Sequence, residues 1–244
     1  MAEPYLSIVI PAYNESLRIG GTLDEVRKYA AAKAFGTEVV LVDDGSSDRT
    51  PEIFQAFQSR WPETRVLRNQ ANRGKGYSVR RGVLEARGEV ILFTDADLSA
   101  PIEEADKLLA ALESSGSDAA VGSRALDRKL IGIHQPWRRE LAGRGFNLLV
   151  RLFTGLRLHD TQCGLKLFRR DSTRRAFELQ RVERFGFDPE VLFLVQHLGG
   201  KLVEVPVRWN DNPATKVHFL RDSARMFLDL VVLRWRAWTG QYST

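Results

Sequence analysis

The sequence predicts an α/β protein with a mostly parallel sheet and helices on both faces of that sheet. Short runs rich in Val, Ile and Leu alternate with amphipathic helical patterns through the first half of the chain. Such alternation supplies the connecting helices that parallel strands require. The chain has 244 residues, of which 43% are hydrophobic, and this is enough to bury one full domain core.

Five runs are predicted to be buried strands, because they are short, apolar and bounded by polar turns. They are residues 5–10, 38–43, 65–68, 89–94 and 118–122. Apolar residues at helical spacing predict one helix from Ile19 to Ala30, a second that begins at Thr50 and a third that begins near Ser99, with Pro101 in its first turn. This succession of strand, helix and strand is why we expect parallel pairing.

Positive charge is concentrated between Arg124 and Arg184, where 15 Lys and Arg residues outnumber 6 Asp and Glu residues. Most basic residues of the chain are Arg, whose planar guanidinium suits phosphate oxygens, so a phosphorylated partner and a solvated basic surface both fit the pattern. No zinc-finger, homeodomain or RNA-recognition pattern is present, and we therefore expect no nucleic-acid partner.

The expected compartment is the cytosol. Cys163 is a single cysteine and cannot form an internal disulfide, and the first residues lack the build of a secretory signal. No stretch approaches the roughly 18 apolar residues that a membrane-spanning helix needs.

Polar clusters follow four of the predicted strands, and the carboxyl ends of parallel strands share one edge of a sheet. The clusters are residues 11–15, 43–48, 69–76 and 95–98. Helix capping explains any one of them, but it does not readily explain paired carboxylates. Asp95 and Asp97 repel each other unless a cation or hydrogen-bond donors lie between them, and a hard divalent ion bridging to a ligand phosphate resolves that conflict.

The motifs at this edge resemble those of the inverting family-2 nucleotide-sugar glycosyltransferases of the GT-A (Rossmann-like) fold. The matching segments are PAYNE at 11–15, VDDGSSDRT at 42–50, NRGKG at 72–76 and DADL at 95–98. Neither G-x-G-x-x-G after the first strand nor a P-loop is present, which argues against dehydrogenases and P-loop nucleotidases. Downstream segments are most similar to the dolichyl-phosphate β-glucosyltransferase branch: GSR at 122–124, DTQCGLKLF at 160–168, FDPE at 187–190 and EVPVRW at 204–209.

The resemblance implies a donor side of the site. The residues expected to bind the donor nucleotide are Pro11, Tyr13, Glu15, Asp44, Lys75 and Asp95. Asp97, together with Asp95, is expected to hold the Mg²⁺ or Mn²⁺ that bridges the donor phosphates. Capping is the alternative for Asp44, and solvent contact is the alternative for Lys75.

The resemblance also implies an acceptor side. Arg124, Arg138, Arg139 and Lys216 are expected to bind the acceptor phosphate, and Asp160 and Gln162 to form an acceptor loop. Asp188 and Glu190 either cap the helix that follows them or face the reacting centre. The catalytic candidates are thus Asp97, Arg124, Arg139, Asp188 and Glu190.

The resemblance implies transfer of a sugar, expected to be glucose from a UDP-sugar, to a polyprenyl phosphate with inversion. A phosphate monoester has a second pKa of about 6, so it is largely dianionic at pH 7 and attacks without a general base. Three alternatives stay open: a GDP-mannose or N-acetylhexosamine donor, a soluble saccharide acceptor, and a nucleotide-sugar-binding protein without turnover. The oligomeric state is not predicted.

Residues 1–210 are expected to form the catalytic domain, and residues 211–244 an acceptor-loop remnant followed by an amphipathic helix from Phe219 to Trp238. Aromatic and basic side chains alternate along this helix. It either lies on the anionic inner face of the membrane, as a peripheral contact, or packs on the domain.

Overall fold

The computed structural model describes residues 3–211 and 219–242. In that part of the chain, a seven-stranded sheet has the strand order β3-β2-β1-β4-β7-β5-β8. Its strands are β1 (Leu6–Ala12), β2 (Thr37–Asp43), β3 (Thr64–Arg68), β4 (Val90–Thr94), β5 (Ala119–Ser123), β7 (Leu165–Arg169) and β8 (Leu202–Pro206). A separate short pair joins β6 (Ile131–Ile133) to β9 (Trp209–Asn210).

Helices connect and cover the strands. They are α1 (Ile19–Ala31), α2 (Thr50–Arg60), α3 (Lys75–Glu85), α4 (Ala105–Ser115), α5 (Trp137–Thr154), α6 (Arg170–Leu179), α7 (Phe187–His197) and α8 (Phe219–Trp238). The predicted α/β class with a mostly parallel sheet is confirmed. All pairs in the large sheet are parallel except those of β7, which runs antiparallel between β4 and β5.

The third predicted helix begins later than expected. Pro101 has an extended backbone (φ −55°, ψ 143°), and a short 3-10 turn at Ile102–Glu104 comes before α4. The Asp97 carboxylate accepts a hydrogen bond from the Ser99 backbone N–H at 3.0 Å. This turn occupies the residues that the sequence assigned to the start of the helix.

Two hydrophobic clusters lie on opposite faces of the sheet. Along β1, Ile8 and Ile10 pack with α1, α2 and α4 on one face, whereas Val9 packs with α3 and α7 on the other. A strand covered on both faces needs apolar residues at successive positions, since alternate side chains point to opposite faces. This is why the strands are continuous apolar runs.

The C-terminal helix α8 packs on the domain through one face. Leu230 and Leu233 are buried in the same cluster as residues of α7, and Phe227 makes an edge contact with Phe153 of α5. Among the described residues, no helix combines the length and the apolar content needed to cross a bilayer. The division of the chain at residues 210 and 211 stays a prediction.

Candidate active site

At the carboxyl edge of the sheet, the loop before α3 is held in place by hydrogen bonds to Asp44. Asp44, directly after β2, is buried and accepts hydrogen bonds from the backbone N–H groups of Arg73 and Gly74 at 3.0 and 2.8 Å. The Asn69 amide donates to the same carboxylate at 2.7 Å. Asp44 therefore shapes the loop that precedes α3, and this role is additional to the base contact expected from sequence.

Three other predicted nucleotide residues lie in β1 and in the loop that follows it. Pro11 is buried within β1, whereas Tyr13 is partly exposed at the edge. Glu15 forms a two-pronged ion pair with Arg18, through Nε and Nη2 of the guanidinium. These positions lie at the carboxyl edge of the sheet, called the rim below. A planar base and a ribose bound there would have both apolar and polar neighbours.

Asp95 and Asp97 lie at the end of β4, as the sequence predicts. The Asp95 carboxylate pairs with the Lys75 ammonium at 2.6 Å, and the Arg18 guanidinium lies 3.8 Å from Asp97. Both carboxylates stay partly open, with exposed fractions of 29% and 21%. Each acid can therefore reach a ligand from the rim while a fixed cation balances its charge.

The backbone at Gly164 lies directly against Asp95 and restricts its side chain. The Asp95 N–H donates to the Gly164 carbonyl at 3.1 Å. A Cβ atom on Gly164 would overlap the Asp95 carboxylate, so only glycine leaves room for the observed rotamer. Gly164 thus links the metal-site candidate to the segment 160–164.

Asp95 and Asp97 fit a divalent ion that takes its remaining ligands from a substrate and from water. Among residues 3–211 and 219–242, no group of three or more His, Cys, Asp or Glu side chains is arranged to enclose a metal. Mg²⁺ in nucleotide sites is typically held by one or two carboxylates plus substrate phosphates and water. Asp95 and Asp97 provide this number of carboxylates and the hard oxygen ligands that Mg²⁺ and Mn²⁺ prefer.

On the acceptor side, Arg124 and Asp160 form a buried ion pair. Nε and Nη2 of Arg124 donate to the two Asp160 oxygens at 2.6 and 2.9 Å. Burial is the largest single influence and raises the pKa of Asp160, but the Arg124 charge and the hydrogen bonds from Arg124 and Gln162 together outweigh it and lower that pKa to about 2. The guanidinium also lies 5.2 Å from the Trp209 ring centre. Arg124 is thus held rigidly, with one edge of its fork committed to the protein.

A pocket of about 210 Å³ opens beside this ion pair and carries several cationic side chains. The arginines that line it are Arg124, Arg128, Arg139 and Arg144. Gln162 lies in the same wall, and Arg139 is 3.8 Å from Asp211. Of the other predicted phosphate ligands, the Arg138 side chain and Lys216 lie outside the described residues. The pocket is therefore lined by four of the 15 basic residues of the stretch from Arg124 to Arg184.

Asp188 and Glu190 both lie in the first turn of α7, with different neighbours. Asp188 is buried and pairs with Lys166 at 2.6 Å; its pKa is raised, because burial outweighs the attraction of Lys166 and Lys75. Glu190 is completely buried and accepts hydrogen bonds from the backbone N–H groups of Arg181 and Val182. Tyr242 donates to its second oxygen at 2.5 Å.

Asp188 therefore lies close enough to Lys75 and Asp95 for their charges to act on it. Glu190 forms hydrogen bonds with the segment before α7 and with Tyr242, and these contacts favour a structural role.

Cys163 is buried, and burial raises the pKa of its thiol to about 12, so it is a protonated core residue at neutral pH.

The sequence reasoning did not single out Arg18, Gly164 or Lys166. Each acts through a residue that is distant in the chain: Arg18 meets Asp97, Gly164 meets Asp95, and Lys166 meets Asp188. Lys166 alone left a signal, because a lysine within the otherwise apolar run 165–168 needs a partner if that run is buried.

Paired acids at the carboxyl edge of a mostly parallel sheet, beside an arginine-lined pocket, are the arrangement expected of a nucleotide-sugar transferase. The chain belongs to glycosyltransferase family 2, since residues 7–177 match the family described as "Glycosyl transferase family 2". It is a glycosyltransferase.

Relatives of known name agree with the resemblance. A dolichyl-phosphate β-glucosyltransferase of Trichomonas vaginalis is 38% identical over 94% of this chain and 71% of its own length. The human enzyme of the same name is 34% identical over 97% of this chain and 77% of its own length.

A solved structure confirms the fold. Glucosyl-3-phosphoglycerate synthase from Mycobacterium tuberculosis, in complex with Mn²⁺, UDP and glucosyl-3-phosphoglycerate, superposes with a TM-score of 0.70 at 17% identity. The match covers 95% of this chain and 80% of that one.

Proposed function

We propose that this chain transfers glucose from UDP-glucose to a polyprenyl phosphate of the dolichyl type, giving a β-linked lipid phosphate sugar. The names of its relatives support this acceptor and this sugar. The observation that carries the proposal is the arginine-lined pocket, which the segment 160–164 connects to Asp95. A phosphate in this pocket would lie beside the acids that face the donor.

In this proposal the protein supplies position and charge. Arg139 and the free edge of Arg124 bind the acceptor phosphate and orient its oxygen toward the anomeric carbon. Asp95 and Asp97 would hold a divalent ion, which would supply positive charge to neutralise the departing diphosphate. Lys75 adds a positive charge at the same edge.

No side-chain base is required. The acceptor phosphate is already ionised at neutral pH, so attack needs no proton transfer. Asp160 and Asp188 are each paired with a fixed cation, Arg124 and Lys166, which leaves them poorly placed to accept a proton. Attack in one displacement inverts the anomeric configuration.

The helices beside the pocket fit a membrane surface. α5, which forms one wall of the pocket, exposes Leu148 and Leu152, and α8 exposes Trp235 and Trp238. Arginines on the same two helices suit anionic headgroups, and indole rings are favoured at headgroup depth. We infer a peripheral contact of α5 and α8 with an anionic bilayer, which would bring the lipid phosphate to the pocket.

The test is a donor and acceptor panel. The purified chain is incubated with Mg²⁺ or Mn²⁺, UDP-glucose, GDP-mannose or UDP-N-acetylglucosamine, and either a polyprenyl phosphate or 3-phosphoglycerate. The proposal expects a glucolipid whose anomeric proton shows the β configuration. Product only from another donor, or only on the soluble acceptor, contradicts it.

The membrane contact has its own test. Replacing Leu152 and Trp238 together by Glu should lower binding to anionic vesicles by about tenfold or more, because each apolar side chain gains roughly 1.5–3 kcal/mol on burial. Lys28→Glu, in an exposed pair with Glu25, is the control of matched charge. Equal vesicle binding by the wild type and the double variant contradicts the contact.

A further inference from the structure

The two acids expected to hold a divalent ion are already paired with cations of the protein. Lys75 lies 2.6 Å from Asp95, and Arg18 lies 3.8 Å from Asp97. Both cationic side chains are about three-quarters buried. A metal ion that approaches this rim therefore meets carboxylates that have counter-ions in place.

Neither cation is held by these acids alone. Glu15 binds Nε and Nη2 of Arg18, while Nη1, the nitrogen nearest Asp97, is buried without a hydrogen-bond partner among the described residues. A buried unpaired donor is costly, so this nitrogen is suited to a ligand oxygen that arrives at the rim.

Lys75 has a second source of stabilisation. Asp188, as well as Asp95, lies close enough to act on the Lys75 charge. The ammonium lies at the start of α3, where it can turn from Asp95 to another anion. A diphosphate at the rim is such an anion.

The net charge of the side chains around the rim favours joint binding of a divalent ion and a diphosphate over binding of the ion alone. The acids are Glu15, Asp95, Asp97 and Asp188, and the cations are Arg18, Lys75 and Lys166. This leaves one net negative charge. A divalent ion alone would reverse the sign, whereas a divalent ion with a doubly charged diphosphate restores the original balance.

We propose that Lys75 and Arg18 are built-in counter-ions that make divalent-ion binding conditional on the donor diphosphate. Without a nucleotide, Lys75 competes with the ion for Asp95. With a nucleotide, Lys75 and Nη1 of Arg18 transfer to phosphate oxygens and leave both carboxylates to the ion. The inference rests on the proposed nucleoside diphosphate donor and adds an order of binding to it.

The experiment measures Mn²⁺ binding to the full chain without nucleotide, from the electron paramagnetic resonance signal of free Mn²⁺. Lys75→Met removes the competitor and should bind Mn²⁺ alone at least about fivefold more tightly than the wild type. Lys33→Met, which breaks an ion pair with Asp106 on α4, is the matched control and should leave Mn²⁺ binding unchanged. Arg18→Gln should act in the same direction with a smaller change.

The second arm repeats the titration with saturating UDP. In the wild type, UDP should tighten Mn²⁺ binding by about fivefold or more, within the usual range of coupling between two ligands. Lys75→Met should show a smaller coupling, because only the direct contact between the ion and the phosphates remains. The Lys75→Arg variant should keep it.

Two results would overturn the inference: Mn²⁺ alone binding no more tightly to Lys75→Met than to the wild type, or coupling with UDP that is as large in Lys75→Met as in the wild type. If UDP fails to bind any variant, the proposed donor is wrong, and the arm without nucleotide still decides the competition between Lys75 and the metal. Thermal unfolding of each variant confirms that the fold is intact.

Discussion

The donor side of the site is formed by tightly held strand ends, whereas the acceptor side is formed by a helix beside an open pocket. On the donor side, strand ends hold Asp44 and Asp95 in place by backbone hydrogen bonds, next to a glycine that leaves no free space. On the acceptor side, α5 borders an open pocket, and both α5 and α8 expose large apolar side chains. A small charged donor calls for fixed ligands, whereas a long lipid calls for an open edge.

Arg124 and Asp160 are the exception on the acceptor side, because their ion pair is as firmly held as the donor acids. The comparison therefore predicts severe effects at the donor acids and at this pair, and mild effects along α5. The following changes test that order, from the largest effect to the smallest.

Asp97→Ala should lower the turnover number by about a thousandfold. The variant loses one of two carboxylate ligands, so charge on the leaving diphosphate is no longer neutralised. Steady-state kinetics at saturating Mn²⁺ measures the effect. Asp171→Ala, a highly exposed acid on α6, is the control and should stay within about twofold of the wild type. Equal turnover numbers for Asp97→Ala and the control would remove Asp97 from the metal site.

Asp160→Ala should lower the free energy of unfolding by about 3 kcal/mol, since it leaves the Arg124 guanidinium without its partner in a largely buried position. Urea unfolding followed by circular dichroism measures the change. The double variant Asp160→Ala/Arg124→Met is the control and should recover part of the loss, because it removes the unpaired charge. A single variant that unfolds at the wild-type urea concentration would show that the pair is not a fixed part of the acceptor side.

The same pair predicts a dependence of stability on pH. The pKa of Asp160 is lowered in the folded state to about 2, whereas an unfolded Asp titrates near about 3.9. Its contribution to stability is thus fully present above about pH 4 and is lost as the pH falls toward about 2. The difference in unfolding free energy between the wild type and Asp160→Asn should shrink by about 2 kcal/mol over that window. A constant difference would contradict the lowered pKa.

Gly164→Ala should weaken binding of Mn²⁺ with UDP by about fivefold, because the added Cβ forces Asp95 out of its rotamer, at a cost of roughly 1 kcal/mol. Isothermal titration with UDP at fixed Mn²⁺ measures it. Gly145→Ala is the matched control on α5, where a Cβ meets nothing within 4 Å. This control should leave UDP affinity unchanged and stabilise the fold by up to about 1 kcal/mol. Equal UDP affinities for the two variants would show that the donor side is no tighter than the acceptor side.

Much of the fold and the donor acids could be predicted, because their signals are local. The first five strands lie within one or two residues of their expected bounds, and Asp95 and Asp97 end β4 as expected. The turn after Asp97 could not be placed, because its Asp97-to-Ser99 hydrogen bond competes with the helix start that Pro101 indicates.

Long-range contacts account for what the sequence left out. The antiparallel position of β7 depends on strand pairing far along the chain, and nothing in residues 165–169 encodes it. Arg18 and Gly164 meet their partners only after folding, so their positions in the sequence carry no sign of a role. Asp188 and Glu190 both occupy the first turn of α7, so their sequence positions do not distinguish them. Their different roles depend on the buried partners that each one meets after folding.

The central claim is that a divalent ion at the Asp95 and Asp97 rim supports sugar transfer to an already ionised phosphate in the arginine pocket. The most direct test is the rate of glucose transfer from UDP-glucose to a polyprenyl phosphate as free Mn²⁺ is varied. We predict that transfer falls to background in excess chelator and returns when Mn²⁺ is restored. Transfer at the full rate in excess chelator would contradict the claim.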